Sequence, residues 1–419
     1  MNYPKKAIKC GILIDGTGKA PMRNSVVLIE GSRITAVGEE GEVQIPSDAV
    51  IIDASGKTVM PGLMDMHVHL GIVEGASGPE TLLNLFKASP FLLLLYAAKH
   101  AREMLEAGFT TVRDLGMANV MSADVMWAAK PMVTLRKAIE QELLPGPRIV
   151  VAGPFCMSAG HFDMSASRYE NFRNPPDGVW EVRKRVRELA REHVDLIKIA
   201  SGGGTAGEGE EIWWRNYTID ELKAIVDEAH ALGKKVASHA YTADTVKNAL
   251  RAGVDTIEHG SFLDDEAIEM LIEQNAFLVP TLTTYHITEK SEYMRRKKEE
   301  VKKGVAENFK KAHKAGVKIA AGTDIYLQEH PDPIYGDNAY ELELMVRYGM
   351  SEMESIMAAT KNAAEALGRE DELGTIEKGK LADIIIVDGD PLEDIRILQN
   401  KENILKVIKD GKIEVDRNL

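Results

Sequence analysis

Between residues 59 and 368, eight short apolar segments alternate with longer amphipathic segments, and this alternation constrains the fold more than any other feature of the chain. The amphipathic segments, such as Val179–His193, Ile219–Leu232 and Lys302–Ala315, have the apolar spacing of helices that pack on a sheet. Eight strand-and-helix units in about 300 residues favour an α/β fold with a closed (β/α)8 TIM barrel, although the pattern alone also allows an open doubly wound sheet. The predicted strands are Leu63–Val68, Thr110–Asp114, Ile149–Gly153, Leu196–Ala200, Lys235–His239, Thr256–His259, Phe277–Thr281 and Lys318–Thr323.

The two ends of the chain have a different pattern, in which short β-rich runs are separated by glycine. Such runs fill residues 7–59, and the pattern returns after Gly368 in Asp383–Val387 and Ile404–Gly411. We therefore predict that residues 1–59 and 369–419 together form a small β-sandwich domain. Residues 60–368 are predicted to form the barrel.

Composition excludes several classes of partner and location. The 51 Lys and Arg residues against 65 Asp and Glu residues give a formal net charge of −14, which argues against nucleic acid or an anionic membrane as a partner. The most apolar stretch, Phe91–Ala98, has about half the length of a membrane span and is expected to be a buried helix. No apolar segment of signal-peptide length follows the first residues, so a cytoplasmic location is the simplest expectation. We also expect a homo-oligomer, with the helix around residues 88–107 as a possible contributor to its interface.

The polar residues that carry chemistry fall at the ends of predicted strands. Functional residues of such barrels cluster at the carboxyl ends of the strands, where the following loops form one face. His67 and His69 close the first strand and point to the same side, because strand side chains alternate with period two. The other strand-end residues are Lys198 in the fourth strand, His239 in the fifth, His259 in the sixth and Asp324 after the eighth.

This residue set suits a divalent metal ion. Only Cys10 and Cys156 are present, without the paired spacing of thiolate sites, so a metal must be bound by His, Asp, Glu or Lys. Taken singly, each residue has a structural alternative: the histidines could line a polar barrel mouth, the lysine could reach the rim, and Asp324 could cap a helix. Chance placement at so many strand ends is a poor explanation of the joint pattern.

Two motifs resemble those of the amidohydrolase superfamily. The segment 61–69, PGLMDMHVH, is similar to its opening motif, and the segment 374–383, GTIEKGKLAD, is similar to its return into the terminal sheet domain. The resemblance covers essentially the whole chain. Within the superfamily, segments 195–204 and 236–241 resemble the branch of prolidase-type and carboxypeptidase-type dipeptidases, which is related to imidazolonepropionase.

The resemblance implies a binuclear site with two Zn²⁺ or similar divalent ions. His67 and His69 would hold the more buried ion together with Asp324, and His239 and His259 would hold the second. Lys198, carboxylated by carbon dioxide, would bridge both ions as an anionic oxygen ligand. An unmodified lysine beside a mononuclear site is the alternative.

The reaction implied by the resemblance is hydrolysis of an amide bond by metal-activated hydroxide, with Asp324 as the base that passes a proton to the leaving nitrogen. The substrate would be a dipeptide or N-acyl amino acid with a free carboxylate. His161 would face the scissile carbonyl or the carboxylate, and Tyr241 would contact the carboxylate; His286 and Arg215 are weaker candidates. The alternatives are a mononuclear cyclic-amide hydrolase or deaminase, and a non-catalytic scaffold.

Overall fold

A parallel sheet of eight strands forms the centre of the molecule, and seven strands from the two ends of the chain form a second sheet. The computed structural model describes residues 5–72, 89–116, 129–154, 176–205, 210–289, 292–326 and 332–418. The strands are β1 (Lys6–Leu13), β2 (Met22–Glu30), β3 (Arg33–Glu39), β4 (Val50–Pro61), β5 (Leu63–Val68), β6 (Phe109–Asp114), β7 (Arg148–Pro154), β8 (Leu196–Ala200), β9 (Lys235–Thr242), β10 (Thr256–Phe262), β11 (Phe277–Val279), β12 (Lys318–Ile319), β13 (Ile384–Val387), β14 (Ile404–Lys409) and β15 (Lys412–Asp416).

The central strands β5 to β12 follow one another around the sheet in chain order. The two edges of this sheet meet. The backbone N–H of Met66 on β5 donates to the carbonyl of Ala321 just after β12, at 2.9 Å, and Val68 pairs with Ile325. The sheet therefore has the closed, TIM-like form that the sequence predicts, and the open doubly wound alternative is wrong.

Two of the barrel strands end earlier than the sequence predicts. The strand β11 ends at Val279, because Thr281 takes a left-handed backbone conformation with φ of 51°. The strand β12 ends at Ile319, because the N–H of Ala321 donates to the carbonyl of Ala358 and not to a neighbouring strand.

Amphipathic helices cover the barrel, as their apolar spacing predicts. In one of them, residues 179–191, Val182, Val186 and Leu189 are fully buried. The helices are α1 (Pro90–Glu106), α2 (Lys130–Glu140), α3 (Val179–Arg191), α4 (Ile219–Ala231), α5 (Ala243–Ala252), α6 (Asp265–Glu273), α7 (Glu292–Ala315), α8 (Tyr340–Arg347), α9 (Glu352–Ala358) and α10 (Lys361–Leu367). In the described part of the chain, no helix combines the length and the apolarity that crossing a bilayer requires.

The helix α1 corrects one expectation. The segment Phe91–Ala98 is helical, but it is not a buried helix. Leu93 and Ala97 pack on the barrel core, whereas Phe91 and Leu95 are 74% and 67% exposed. Only one face of α1 meets the barrel, and apolar residues continue around the helix beyond that face.

The seven-stranded sheet joins both ends of the chain, in the order β15-β14-β13-β4-β1-β2-β3. Its strands alternate between two apolar clusters: Ile8 and Val27 belong to one, and Ala7 and Val26 to the other. The last of its N-terminal strands, β4, leads through Gly62 directly into the first barrel strand. The sandwich form of this sheet and the domain limits at residues 59 and 368 stay predictions.

Candidate active site

The two histidines of the first barrel strand are buried, and each is oriented by a hydrogen bond at Nδ1. The His67 Nδ1 lies 2.9 Å from Oε2 of Glu258, and the His69 Nδ1 lies 2.7 Å from the carbonyl oxygen of Gly116. Because acceptors occupy both Nδ1 positions, the Nε2 atoms are free to bind a metal. Burial and the neighbouring Lys198 also lower the pKa of His67 well below its ordinary value, so this imidazole is neutral, as a metal ligand must be.

Asp324 lies in the segment that follows the eighth barrel strand and faces both Nε2 atoms. It takes a left-handed backbone conformation, φ 53°, and its N–H donates to the His67 carbonyl at 2.8 Å. Its Oδ1 lies 3.0 Å from Nε2 of His69 and 3.7 Å from Nε2 of His67. Burial alone would raise the pKa of Asp324, but the surrounding imidazoles hold it well below its usual range, so the side chain is a carboxylate.

We call His67, His69 and Asp324 the three-ligand cluster. One candidate ligand atom from each residue lies within 4.8 Å of the other two, a spacing that could hold a metal ion. The residues come from the two strands where the barrel closes. The folding of the chain therefore brings together ligands that are more than 250 residues apart in the sequence.

His239 and His259, which we call the histidine pair, lie next to this cluster. Their ring centroids are 4.5 Å apart, and the His259 ring lies 5.3 Å from that of His67. His259 is oriented at Nδ1 by the Thr281 hydroxyl, 2.7 Å away, whereas Nε2 of His239 lies 3.3 Å from the Gly203 carbonyl oxygen. All four predicted histidine ligands thus meet at one end of the barrel.

Lys198 lies in the middle of β8, where all five residues are buried. Burial lowers the pKa of its ammonium group to about 8, although Glu258 and Asp324 oppose this shift. About a tenth of the Lys198 side chains are therefore neutral amines at pH 7, far more than for an ordinary lysine. The influence of Asp324 on this pKa also indicates that Lys198 lies close to the three-ligand cluster.

Of the two predicted substrate residues, only Tyr241 can be described. Its ring is buried and packs against the histidine pair, with centroids 4.7 Å from His239 and 4.9 Å from His259. Burial raises the pKa of Tyr241 well above its ordinary value, so the phenol is a neutral hydrogen-bond donor. His161 lies outside the described residues.

The two weaker candidates do not join this group. His286 is part of a short 3₁₀ helix after β11, and its Nε2 lies 3.2 Å from the hydroxyl of Tyr348, the residue that follows helix α8. Burial lowers the pKa of His286 to about 4. Arg215 is exposed and pairs through its backbone with Gly202.

Sequence reasoning missed the buried charged residues that support the ligands. Arg113 and Glu258 form an ion pair beside His67. Asp65 accepts hydrogen bonds from the N–H of His67 and the hydroxyl of Thr323, so it ties the first strand to the Asp324 segment. The available signal was a charged residue inside an otherwise apolar strand, as in TTVRD and TIEHG.

Comparisons with known proteins match residues 58–413 of the chain to the amidohydrolase family. The chain is also similar to the ochratoxinase of Aspergillus niger, with 31% identity over 441 aligned positions. This alignment covers 97% of the chain and 86% of the ochratoxinase.

Two solved structures have the same fold over their full length. A Xaa-Pro dipeptidase with methionine bound in its active site is 35% identical, with a TM-score of 0.84, over 98% of this chain and 99% of the dipeptidase. A prolidase in complex with N-methylphosphonate-L-proline is 29% identical, with a TM-score of 0.84, over 99% of this chain and 100% of the prolidase.

Proposed function

The chain belongs to the amidohydrolase family, and from this premise we propose that it is a binuclear metal-dependent enzyme that hydrolyses the amide bond of dipeptides or N-acyl amino acids. The observation that carries this proposal is the meeting of the three-ligand cluster, the histidine pair and Lys198 at one end of the barrel. The likeness to a Xaa-Pro dipeptidase and a prolidase supports a substrate with a free carboxylate on the leaving side.

The donor set fits divalent ions such as zinc. Imidazole nitrogens and a carboxylate oxygen are ligands that zinc takes in proteins, and the hydrogen bonds at Nδ1 of His67 and His69 leave the Nε2 atoms for the metal. We assign one ion to the three-ligand cluster and a second to the histidine pair. If Lys198 is carboxylated, the carbamate on its Nζ would be the anionic ligand that bridges the two ions.

The chemistry of Lys198 supports this modification. An amine attacks carbon dioxide only when it is neutral, and burial lowers the pKa of Lys198 to about 8. The Nζ lone pair forms a bond to the carbon of carbon dioxide and Nζ loses a proton, which leaves a carbamate anion. This anion is a better partner for two cations than the buried ammonium group, which has a desolvation cost.

The side chains of the site then have distinct tasks in hydrolysis. When bound, the two ions would lower the pKa of a water molecule and polarise the substrate carbonyl. Asp324 is ionised at neutral pH, so its carboxylate accepts the proton of that water and returns it to the nitrogen of the leaving amine. The carboxylate thus serves as base and then as acid within one turnover.

Two residues are proposed to hold the substrate. The Tyr241 phenol is neutral and packed against the histidine pair, so it can donate a hydrogen bond to the substrate carboxylate beside the reacting bond. His161 is proposed to face the carbonyl oxygen, where a donor stabilises developing negative charge. Neither residue has to ionise for this task.

A mononuclear cyclic-amide hydrolase or deaminase is the second candidate. The observation that favours it is the compactness of the three-ligand cluster, which by itself offers three protein ligands to a single ion. The buried Lys198 beside that cluster favours the binuclear enzyme. In a mononuclear site this lysine would not bind a metal, and the desolvation cost of burying it would not be offset by metal binding. Self-association and a cytoplasmic location stay predictions.

Metal analysis combined with a substrate panel tests the proposal. The chain is reconstituted with zinc and bicarbonate and assayed on N-acyl amino acids and Xaa-dipeptides that end in Pro, Arg, Lys, Phe or Leu. We expect about two zinc ions per chain and release of one class of C-terminal amino acid. One ion per chain, no amide cleaved and a Lys198→Ala variant equal to wild type would overturn the proposal and support the mononuclear candidate.

A further inference from the structure

We propose that Arg113 and Glu258 are positioning residues that hold His67 in its ligand orientation and thereby set the affinity of the ion bound by the three-ligand cluster. This inference rests on the proposed metal site. It adds two residues to that site which neither bind the ion nor touch the substrate. It also assigns a role to two charged residues that are buried inside the barrel.

The pair crosses the interior of the barrel. Arg113 lies on β6 and Glu258 on β10, which are four strands apart in a closed sheet of eight and so lie on opposite walls. Both side chains are at most 1% exposed, and Nη2 of Arg113 donates to Oε1 of Glu258 at 2.7 Å. A charge-assisted hydrogen bond therefore spans the barrel directly beside His67.

Each remaining polar atom of the pair is directed towards the ligand strand or a neighbour. The Nε of Arg113 donates to the carbonyl of Met66, the residue before His67, at 2.5 Å. The hydroxyl of Thr256 accepts from Nη1 of Arg113 at 3.1 Å and donates to Oε1 of Glu258 at 2.5 Å. Glu258 Oε2 is left to accept the proton on Nδ1 of His67, at 2.9 Å.

This arrangement fixes both the backbone and the ring of His67. The guanidinium holds the Met66 carbonyl, and the carboxylate holds the imidazole tautomer that has its proton on Nδ1 and its lone pair on Nε2. That lone pair faces Asp324. The outer partners of ligand histidines orient the ring and raise its basicity, and their loss costs about 10- to 100-fold in metal affinity.

His67 differs from His69 and His259 in this respect. At Nδ1, His69 faces the carbonyl oxygen of Gly116 and His259 faces the hydroxyl of Thr281, whereas His67 faces Glu258. Of these three Nδ1 atoms, that of His67 is the one whose described acceptor is a carboxylate. A charged acceptor makes the imidazole a stronger electron donor than a neutral acceptor does, so the effect is directed to the ion of the three-ligand cluster.

A purely structural role makes a different prediction. If the pair served only to tie the barrel walls together, its disruption would lower stability and leave the affinity for metal unchanged. The chain offers a control in Arg148 and Asp383, a largely buried arginine–carboxylate pair whose described contacts include none of the proposed ligands. The variants Glu258→Gln and Asp383→Asn therefore make the same chemical change in two places.

The experiment measures zinc affinity by competition with a chromophoric chelator, in full-length chains reconstituted with bicarbonate, and thermal unfolding of the metal-free chains. We expect Glu258→Gln to weaken the tighter ion about 10- to 100-fold, because one amide oxygen cannot accept from both His67 and Arg113. Asp383→Asn is expected to lower the unfolding temperature and to leave both affinities within about twofold of wild type. A second variant, Glu258→Asp, keeps the charge but withdraws it from His67, and the same weakening is expected.

The Co²⁺-loaded chains give a second readout, because their visible absorption depends on ligand geometry. A changed spectrum in Glu258→Gln or Glu258→Asp, with an unchanged one in Asp383→Asn, supports the inference. A folded Glu258 variant with wild-type affinity and spectrum overturns it. If the wild-type chain itself binds no metal, the proposed function fails instead, so the two failures are distinguishable. Should Glu258→Gln not fold, Glu258→Asp decides the question.

Discussion

The two parts of the candidate site, the three-ligand cluster and the histidine pair, differ in how completely the protein builds them. In the cluster, the acceptors at Nδ1 and the buried carboxylate of Asp324 already direct the candidate ligand atoms towards one another. The histidine pair has only two ligands, and Nε2 of His239 is directed at the Gly203 carbonyl. The cluster alone could therefore hold an ion, whereas in the proposed binuclear site the pair would need a further ligand such as a carboxylated Lys198.

Both parts contain residues with strained backbone, in a barrel strand or in the segment that follows one. Asp324, His259 and the Thr281 that orients it all have positive φ, between 51° and 73°. Such conformations cost non-glycine residues about 1–3 kcal/mol each and persist only where the surrounding structure imposes them. The difference between the two parts thus lies in the number of ligands and not in how their backbone is held.

The largest effect is expected from a substitution of Asp324, the carboxylate of the three-ligand cluster. Asp324→Asn keeps the size of the side chain but removes the charge between His67 and His69 and the proposed base. We expect about a thousandfold loss in kcat for amide hydrolysis, together with loss of the tighter ion. Steady-state kinetics and metal analysis measure the two effects. The exposed Asp244→Asn serves as the control, and retention of both activity and metal in Asp324→Asn would contradict the assignment.

The second prediction compares the two parts directly by removing one imidazole from each. His69→Ala should leave less than one zinc ion per chain after dialysis. The proposed carbamate of Lys198 bridges two ions, so loss of the ion in the three-ligand cluster should also weaken the ion at the histidine pair. His239→Ala should retain about one ion. Elemental analysis of the two dialysed variants tests this order. Equal losses of metal would show that the two parts form a single cooperative site.

The sequence predicted where the candidate ligands lie, but not the hydrogen bonds that orient them. The alternation of strand side chains and the position of polar residues at predicted strand ends can be read from short segments of sequence. These patterns predicted that one end of the barrel holds His67, His69, Lys198, His239 and His259. The hydrogen bonds that orient three of these rings involve Gly116, Gly203 and Thr281, which lie on other strands or loops. Contacts of that kind depend on tertiary packing, so no local pattern indicates them.

The third prediction concerns the group that would complete the histidine pair. Only the neutral amine of Lys198 reacts with carbon dioxide, and its pKa of about 8 makes the neutral fraction about a tenth at pH 7 and about nine-tenths at pH 9. At a fixed concentration of dissolved carbon dioxide, zinc reactivation of the metal-free chain should therefore accelerate about tenfold between these pH values and level off above pH 9.

Stopped-time activity measurements across pH 6.5–9.5 test this. A rate that kept rising tenfold for every pH unit would indicate an ordinary exposed lysine, and a rate independent of carbon dioxide would exclude the carbamate.

The smallest expected effect concerns Thr281, which orients His259, a proposed ligand of the second ion. Thr281→Val keeps the shape of the side chain and its left-handed backbone but removes the hydroxyl that orients His259 at Nδ1. A neutral hydrogen bond contributes about 1 kcal/mol, so we expect about a fivefold weaker second ion and an unchanged first ion, measured by chelator competition. Thr281→Ser, which keeps the hydroxyl, should bind both ions as wild type does. Weakening of the first ion by Thr281→Val would mean that His259 also supports the three-ligand cluster, which its ring reaches through His67.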